Sequence, residues 1–272
     1  MLQVFWAEDG GLPANDRGLA YGDGLFETIL MVGAQGTLVR LHLDRLIRDA
    51  GRLGIPVSRA EVQDVYARAA SHYGSSRADT PWVLKLILTR GAGGRGYRPD
   101  PDMSPNLLVS ASPAPPATPV EGVRVGYSRI PLTVNPVLAG IKSLNRLEQV
   151  MAARELSEDV FEVLQSGVSG DVVEGTRTNL LLQTTEGWVT PPRASLAVAG
   201  VMRDWVLERL AARGEFVTER PVLPEHLTGS SCRAFYLMNS VLGVVPVRNI
   251  AGRDLPVDGG LATICDPLET LE

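Results

Sequence analysis

A proline-rich segment near the middle of the chain does most to limit the folds that this sequence can adopt. Residues 112–119 read Ser-Pro-Ala-Pro-Pro-Ala-Thr-Pro. Proline fixes φ and has no backbone N–H, so such a segment is stiff and extended and joins neither a helix nor a central strand. The sequence therefore predicts a small N-terminal α+β domain over residues 1–112, a linker over 113–120 and a larger C-terminal domain over 121–272.

Composition excludes several classes of function. The 272 residues carry a net charge of −5, which gives no basic footprint, so we expect no nucleic acid partner. No apolar run approaches the roughly 18 residues that cross a membrane, and a signal-peptide pattern is absent, so we expect a cytoplasmic protein without a membrane partner. The two cysteines and three histidines show neither disulfide nor metal-ligand spacing, and we predict no metal site.

Hydrophobic periodicity predicts helices and strands in the N-terminal domain. Thr28–Val32 and Thr37–Leu41 are β-rich runs on either side of a glycine-containing turn, which predicts a hairpin. Leu41–Leu53 has one apolar helical face and is followed by a glycine, a common helix terminator. Ser58 and Glu61 have the spacing of a capping box, which predicts the start of a further helix.

Lys142 is the first candidate for chemistry. Apolar residues precede it, and Ser143 is in position to cap a helix that has Leu144, Leu147, Val150 and Met151 on one apolar face. Burial disfavours the ammonium form of a lysine, and the neutral amine is the form that attacks a carbonyl carbon to give a Schiff base. The alternative is a surface lysine whose aliphatic stem lies along apolar residues.

Two glycine-rich stretches precede the linker. Residues 21–28 read Tyr-Gly-Asp-Gly-Leu-Phe-Glu-Thr, and glycines here allow the backbone to approach another group closely. A turn-rich sheet edge is the alternative. Residues 90–99 read Arg-Gly-Ala-Gly-Gly-Arg-Gly-Tyr-Arg-Pro and contain a formal GxGxxG match. The prolines that follow prevent the helix that a dinucleotide site needs there. A mobile, cationic loop remains, suited to an anionic substrate or simply solvated.

The C-terminal domain offers two further candidate positions. Glu174 lies in a turn before an apolar strand, where a carboxylate is ordinarily a turn residue. Residues 196–203 lead into a helix that a glycine ends near residue 214. The first-turn amides of that helix, at Val201 and Met202, form an anion site or are solvated by water.

Four separated motifs resemble those of the fold-type IV pyridoxal-phosphate (PLP) enzymes. They are residues 21–28, the His-Leu-Asp-Arg-Leu run at 42–46, the Lys-Ser-Leu-Asn-Arg-Leu run at 142–147, and Glu174 with Asn179. The helix entry near residue 200 fits in order and spacing. The resemblance implies a two-domain α+β fold like that of D-amino-acid aminotransferases, with PLP in the cleft between the domains, the C-terminal domain binding the cofactor, and a homodimer.

The resemblance also implies residue roles. Lys142 binds PLP covalently and then serves as the catalytic acid–base group, and Glu174 keeps the pyridine nitrogen protonated. The other expected cofactor residues are the asparagine of the motif, Asn179, and the expected phosphate contacts Arg45, Val201, Met202 and Ser240. The expected substrate residues are Tyr21, Thr28, Arg95, Tyr97 and Arg98.

Within the family, the glycine-rich loop and the run at 145–150 resemble 4-amino-4-deoxychorismate lyases most. Leu147 stands where branched-chain aminotransferases carry a tyrosine, which argues against that branch. The expected reaction is PLP-dependent elimination of pyruvate from 4-amino-4-deoxychorismate, which gives 4-aminobenzoate for folate biosynthesis. The alternatives are a D-amino-acid or branched-chain-type aminotransferase of the same fold, and a PLP-binding protein without activity.

Overall fold

The computed structural model describes residues 1–77 and 80–272, and the chain forms two units within them. The first unit comprises Met1–Pro115, Lys142–Asn145 and Leu268–Glu272, and the second comprises Pro116–Ile141 and Arg146–Pro267. The C-terminal domain predicted from the sequence, residues 121–272, includes Lys142–Asn145 and Leu268–Glu272. They group with the first unit because both segments hydrogen-bond to backbone groups of its strands β2 and β3, defined below.

The first unit is built on a five-stranded sheet of order β1-β5-β4-β2-β3. Its elements are β1 (Gln3–Trp6), α1 (Arg17–Tyr21), β2 (Gly24–Val32), β3 (Gln35–Gly36), α2 (Val39–Leu53), α3 (Arg59–Gly74), β4 (Pro81–Thr89) and β5 (Asn106–Pro113). Neighbouring strands are antiparallel except β1 and β5, which are parallel. Both α2 and α3 contact β2. The residues of α2 that are buried at helical spacing are Val39, Leu43, Leu46 and Ala50. Each buried leucine of this kind contributes about 1.5–3 kcal/mol.

The helix ends of the first unit follow the predicted signals. Helix α2 ends at Gly54, whose φ of 65° lies in the left-handed region. Helix α3 begins with the predicted capping box: the Ser58 hydroxyl accepts from the Glu61 amide, and the Glu61 carboxylate accepts from the Ser58 amide. Both helix boundaries are therefore fixed by local sequence.

The predicted strand over Thr37–Leu41 is wrong. Leu38 has a φ of 54°, which ends the extended backbone, and α2 begins at the next residue. The backbone N–H of Leu38 donates to Thr270 Oγ1 at 2.9 Å, and that of Arg40 donates to Glu272 Oε1 at 2.9 Å. The last residues of the chain therefore cap the start of α2, which no local pattern in residues 37–41 could show.

The second unit contains a nine-stranded sheet of order β11-β10-β9-β12-β13-β6-β7-β8, with β14 paired to β13. Its strands are β6 (Val123–Tyr127), β7 (Glu162–Ser166), β8 (Val172–Gly175), β9 (Asn179–Thr184), β10 (Gly187–Thr190), β11 (Val217–Glu219), β12 (Cys232–Asn239), β13 (Gly243–Ile250) and β14 (Arg253–Asp254). Its helices are α4 (Leu147–Ala153), α5 (Val201–Ala212), α6 (Pro224–Thr228) and α7 (Gly260–Ile264), and short 3₁₀ turns cover Arg193–Ser195 and Pro267–Thr270. Mixed strand directions and peripheral helices make both units α+β, as the sequence predicted.

The helix predicted directly after Lys142 begins later. Ser143 forms an isolated antiparallel bridge with Leu25, and the N-cap position of the helix is occupied by Arg146, three residues further on. Helix α4 starts at Leu147. Its apolar face is exposed to solvent: Leu147 is 78% exposed, Val150 54% and Met151 43%.

The remaining expectations concern cysteines, metals and membranes. Cys232 and Cys265 are buried free thiols. Across residues 1–77 and 80–272, no group of three His, Cys, Asp or Glu side chains is arranged to hold a metal ion. None of the helices in this part of the chain combines the length and the apolar character needed to cross a membrane.

Candidate active site

Lys142 lies in a short segment that pairs with the beginning of β2. Its carbonyl accepts a hydrogen bond from the Phe26 amide at 3.0 Å. Two residues on, the Leu144 amide donates to the Gly24 carbonyl at 3.0 Å. A Cβ atom at Gly24 would come within 2.9 Å of a Leu144 methyl group, so a larger residue would push this segment away.

Gly22 also leaves room for the segment that contains Lys142. It has a φ of 66°, and a Cβ atom there would overlap the side-chain oxygen of Asn145. The Asn145 Nδ2 group instead donates to the Gly22 carbonyl at 3.1 Å. The close backbone approach predicted for residues 21–28 is therefore present, and the group that approaches is the Lys142–Asn145 segment.

The side chain of Lys142 is half-buried against an aromatic ring. Its Nζ atom lies 4.0 Å from the centroid of Phe26. Alternate residues of a strand face the same side, so Thr28 shares that side of β2. Lys85 of β4 is the register partner of Thr28, and its Nζ atom lies 5.5 Å from the same ring. Lys85 was missed by the sequence analysis, although a lone charge inside the apolar run of β4 was its signal.

Arg45 is held by two buried residues that sequence reasoning also missed. Its Nε and Nη2 atoms donate to the two carboxylate oxygens of Glu27, at 2.7 and 2.5 Å. His42 Nδ1 lies 2.6 Å from Glu27 Oε2. All three residues are at most 3% exposed. Paired donation of this kind fixes the plane of the guanidinium group.

Burial and charge oppose each other at Glu27. Burial raises its pKa, but the charge of Arg45 and the hydrogen bonds from Arg45 and His42 outweigh it and lower the pKa to about 2. Burial lowers the pKa of the His42 imidazole more than Glu27 raises it. His42 is therefore neutral near pH 7 and donates its Nδ1 proton to Glu27, which leaves the net charge of the group at zero.

The glycine-rich loop carries two kinds of arginine. Arg90 donates to both carboxylate oxygens of Asp23, and Arg17 of α1 donates to one of them at 2.9 Å. Burial raises the pKa of Asp23, but Arg90 and Arg17 outweigh it and the net shift is downward. Arg95 and Arg98, in contrast, are exposed and have no ion-pair partner among the described residues. This loop, which the sequence predicts to be mobile, is held at its base by the ion pairs of Arg90 and Arg17 with Asp23. The side chains of Arg95 and Arg98 are exposed to solvent.

In the second unit, Glu174 and Asn179 hold the backbone that leads into α5. The Val198 amide donates to Glu174 Oε2 at 3.2 Å. Asn179 uses both ends of its side-chain amide: Nδ2 donates to the Val198 carbonyl at 2.9 Å, and Oδ1 accepts from the Gly200 amide at 3.0 Å. A Cβ atom at Gly200 would overlap Asn179 Oδ1, which explains the glycine.

Arg146 lies close enough to Glu174 for its charge to matter. Burial lowers the pKa of the Arg146 guanidinium, and the negative charges of Glu174 and Glu148 oppose that shift. Arg146 also donates to the Ile141 carbonyl at 3.1 Å. The Arg146 guanidinium and the Glu174 carboxylate therefore lie within electrostatic range of each other.

Glu162 organises the turn between Glu174 and Asn179. Its carboxylate is fully buried and accepts from the Thr176 amide at 3.1 Å and the Thr176 hydroxyl at 2.7 Å. It also accepts from the Thr178 hydroxyl at 3.2 Å. A buried carboxylate with several donors holds one backbone conformation, so Glu162 fixes the spacing of the two motif residues.

The start of α5 has the features of an anion site. Val201 and Met202 are buried, and their backbone N–H groups have no hydrogen-bond partner within the described chain. Ser240 lies in the turn between β12 and β13, where Asn239 Oδ1 accepts from the Val241 and Leu242 amides, at 2.9 and 2.8 Å. Asn239 Nδ2 donates to the Arg177 carbonyl at 3.2 Å, which ties this turn to the one that Glu162 organises.

The predicted residues are divided between the two units. Those of the first unit are Tyr21, Thr28, Arg45, Arg95, Tyr97, Arg98 and Lys142. Those of the second unit are Glu174, Asn179, Val201, Met202 and Ser240. In the first unit Lys142 lies beside the start of β2, and in the second unit Glu174 and Asn179 hydrogen-bond to the backbone that leads into α5.

Comparison with known proteins gives a family and several similar chains. The model of the amino-transferase class IV family matches residues 24–250. An aminodeoxychorismate lyase from Vibrio harveyi is 32% identical over 262 residues, 94% of each chain. A protein of Methanocaldococcus jannaschii inferred to be a branched-chain-amino-acid aminotransferase is 30% identical, over 90% of this chain and 85% of its own. The crystal structure of 4-amino-4-deoxychorismate lyase from Pseudomonas aeruginosa has a TM-score of 0.86 and 38% identity, over 94% of this chain and 93% of that one.

Proposed function

Because the chain belongs to the class IV aminotransferases, which are fold-type IV PLP enzymes, we propose that it is a 4-amino-4-deoxychorismate lyase. The proposed reaction eliminates pyruvate from 4-amino-4-deoxychorismate and gives 4-aminobenzoate. Similarity to two lyases supports this choice, and the family's aminotransferases are the competing assignment.

The donor set of this chain fits PLP. The buried N–H groups of Val201 and Met202, which lack a partner within the described residues, suit a phosphate dianion at a helix N-terminus. Glu174, beside the Arg146 cation, suits a protonated ring nitrogen. Lys142 offers an amine for the aldehyde carbon. We propose these residues as the holders of the cofactor, with Arg45 and Ser240 as further phosphate contacts and Asn179 as the residue that shapes the α5 entry.

Bound PLP supplies an electron sink for the carbon that carries the substrate amine. The Lys142 amine takes the proton from that carbon, and the ether oxygen then leaves the neighbouring carbon with its electron pair as enolpyruvate, which gains a proton to become pyruvate. The Phe26 ring, 4.0 Å from Nζ, stabilises the ammonium group that Lys142 becomes. Thr28 and Lys85 lie on the same side of the sheet and are proposed substrate contacts, with Lys85 added by the structure.

The observation that carries the choice of lyase is the pair of exposed arginines, Arg95 and Arg98. The proposed substrate bears two carboxylates, one on the ring and one on the enolpyruvyl ether, whereas alanine and the branched-chain amino acids, the amino donors of the competing reactions, bear one and only their partner 2-oxoglutarate bears two. Two guanidinium groups without partners in the described chain match a dianion. Tyr21 and Tyr97, whose ring centroids are 5.5 Å apart, are proposed to line the approach to this pair.

An aminotransferase remains the second candidate because of the Methanocaldococcus jannaschii relative at 30% identity. Leu147 argues against the branched-chain type, since it replaces the tyrosine of that branch and is 78% exposed. A PLP-binding protein without activity is the third candidate. If the purified protein is colourless and has no visible absorption band that borohydride abolishes, it does not bind PLP, and a protein that binds another ligand is favoured.

A product assay with two substrates tests the proposal. One preparation receives 4-amino-4-deoxychorismate in one tube and D-alanine or L-leucine with 2-oxoglutarate in another. We expect 4-aminobenzoate and pyruvate in the first tube and no glutamate in the second. Lys142→Ala is the control, since it should abolish product formation. If product forms only in the second tube, as glutamate, the protein is an aminotransferase and the lyase proposal is wrong.

We also propose a homodimer that covers the exposed face of α4. Leu147, Val150 and Met151 form an apolar stripe on one side of that helix. Apolar stripes of this kind mark interaction surfaces. Light scattering of the wild type and of a Leu147→Glu, Val150→Glu variant tests this proposal, because a dimer through α4 predicts a shift of the variant towards the monomer mass.

A further inference from the structure

Helix α1 holds the glycine-rich loop (residues 90–99) through hydrogen bonds from one buried arginine, Arg17, and these contacts are called the grip below. Arg17 donates from Nη1 to the Gly96 carbonyl at 2.9 Å and from Nη2 to the Tyr97 carbonyl at 2.7 Å. Its Nε atom donates to Asp23 at 2.9 Å, which neutralises the charge and fixes the guanidinium plane. The Tyr21 ring covers the group, with 4.8 Å from its centroid to Cζ. The Arg17 residue is only 4% exposed.

Backbone and side-chain contacts extend the grip along the loop. The Arg17 amide donates to the Gly91 carbonyl at 2.9 Å, and the Gly93 amide donates to the Asn15 carbonyl at 3.2 Å. Farther along, the Gly96 amide donates to the Tyr21 hydroxyl at 3.2 Å. Residues 15–21 therefore bind the loop at both its base and its tip.

The two gripped carbonyls lie between the two unpaired cations. The order along the chain is Arg95, Gly96, Tyr97, Arg98. The Tyr97 carbonyl belongs to the peptide plane that joins Tyr97 to Arg98, and the Gly96 amide, which donates to the Tyr21 hydroxyl, belongs to the plane that joins Arg95 to Gly96. Fixing these planes, with the Gly96 carbonyl between them, sets the direction in which Arg95 and Arg98 leave the backbone. Neither arginine has a hydrogen bond or ion pair elsewhere in residues 1–77 and 80–272 that would position it instead.

We propose that Arg17 is a positioning residue for substrate binding: it grips the Gly96 and Tyr97 carbonyls and so holds Arg95 and Arg98 ready for two carboxylates. This inference rests on the proposed function, which supplies the dianionic substrate. Arg17 acts on the loop and not on the reacting atoms, so its loss raises KM and leaves the cofactor bound. A lysine cannot replace it, because a single ammonium lacks the fork that reaches both carbonyls.

Trypsin cleavage measures the grip without any enzyme activity. Arg95 precedes Gly96 and is open to trypsin, whereas Arg98 precedes Pro99 and resists it. In the full-length holoenzyme, we expect Arg17→Ala and Arg17→Lys to raise the rate of the Arg95–Gly96 cut about ten- to a hundredfold, because two charge-assisted hydrogen bonds no longer close the loop. Mass spectrometry of the fragments isolates this cut from others.

Two further variants control the experiment. Arg68→Lys alters a surface arginine of α3 that pairs with Asp64, and it should leave the rate of the cut unchanged. Tyr21→Phe removes one acceptor and keeps Arg17, so it should raise the rate of the cut less than Arg17→Ala does. If Arg17→Ala fails to fold, as circular dichroism would show, Arg17→Lys and Tyr21→Phe carry the test.

Kinetics then decide what the grip does. For Arg17→Lys with 4-amino-4-deoxychorismate, we expect KM to rise about tenfold, kcat to change less than about threefold, and PLP absorbance to stay at the wild-type level. In the Arg17→Lys background, Arg95→Ala should add little, because the two changes remove one shared interaction.

The outcomes separate the two proposals. Equal cleavage of the wild type and Arg17→Lys overturns the grip, whatever the activity. Faster cleavage with an unchanged KM overturns the positioning role. If the wild type releases no 4-aminobenzoate, the proposed function fails, and the rate of the Arg95–Gly96 cut still supports or overturns the grip of Arg17 on the loop.

Discussion

Replacing Glu27 with glutamine removes the charge that balances Arg45 while keeping the shape of the side chain. The pKa of Glu27 is lowered from 4.5 to about 2, and at roughly 1.36 kcal/mol per pKa unit this corresponds to about 3 kcal/mol of stabilisation. Breaking a buried ion pair by removing one partner costs a similar amount, about 3–5 kcal/mol. We therefore expect E27Q to lower the free energy of unfolding by about 3 kcal/mol at pH 7.

The pH dependence gives the sharper test. Because the folded-state pKa of Glu27 lies below the ordinary value, its stabilisation is fully present above about pH 4.5 and is lost as the pH falls towards 2. At pH 3 less than half of it remains. The difference in unfolding free energy between the wild type and E27Q should therefore shrink by about 2 kcal/mol between pH 7 and pH 3. Urea denaturation at a series of pH values, monitored by tryptophan fluorescence, measures this difference in unfolding free energy.

Glu121→Gln is the matched control. Glu121 is exposed, so its replacement should change the free energy of unfolding by less than about 0.5 kcal/mol at any pH. A difference between the wild type and E27Q that stays constant from pH 7 to pH 3 would refute the reasoning. It would mean that Glu27 titrates in the folded protein as it does in the unfolded chain.

Two further predictions concern the α5 entry and the cap on α2. Asn179→Ala removes both hydrogen bonds that hold Val198 and Gly200, so the dissociation constant for PLP should rise about tenfold in a spectroscopic titration. Gln183→Ala on the same strand should leave PLP affinity unchanged. Glu272→Ala removes the acceptor for an amide in the first turn of α2 and should lower the free energy of unfolding by about 1 kcal/mol in urea. An unchanged urea midpoint would show that water replaces this cap.

Local chemistry explains why some elements could be predicted from the sequence. The capping box of α3 and the glycine after α2 act within a few residues, so a pattern in one short stretch decides the outcome. The glycines of residues 21–28 signalled a close approach, and the structure supplies the approaching segment, Lys142–Asn145. The sequence indicated that a neighbour exists and could not say which one.

The remaining features depend on residues that are far apart in the chain. Leu38 takes a left-handed φ that its own side chain disfavours, and residues 232 positions away complete the cap on α2. The register of β2 and β4 sets Lys85 beside Phe26, which no spacing within either strand encodes. Long-range pairing of this kind is decided by packing, so single-sequence patterns do not report it.

Buried and half-buried carboxylates hold both groups of proposed site residues in place. Within the first unit, Glu27 fixes Arg45, and Asp23 fixes Arg17 and Arg90. Within the second, Glu162 fixes the turn before Asn179. Burying a carboxylate is costly unless several donors surround it, and those donors then allow only one arrangement of the neighbouring backbone. We therefore expect that loss of one of these acids, to which the sequence analysis gave no role, weakens cofactor or substrate binding before it alters the chemistry proposed for Lys142.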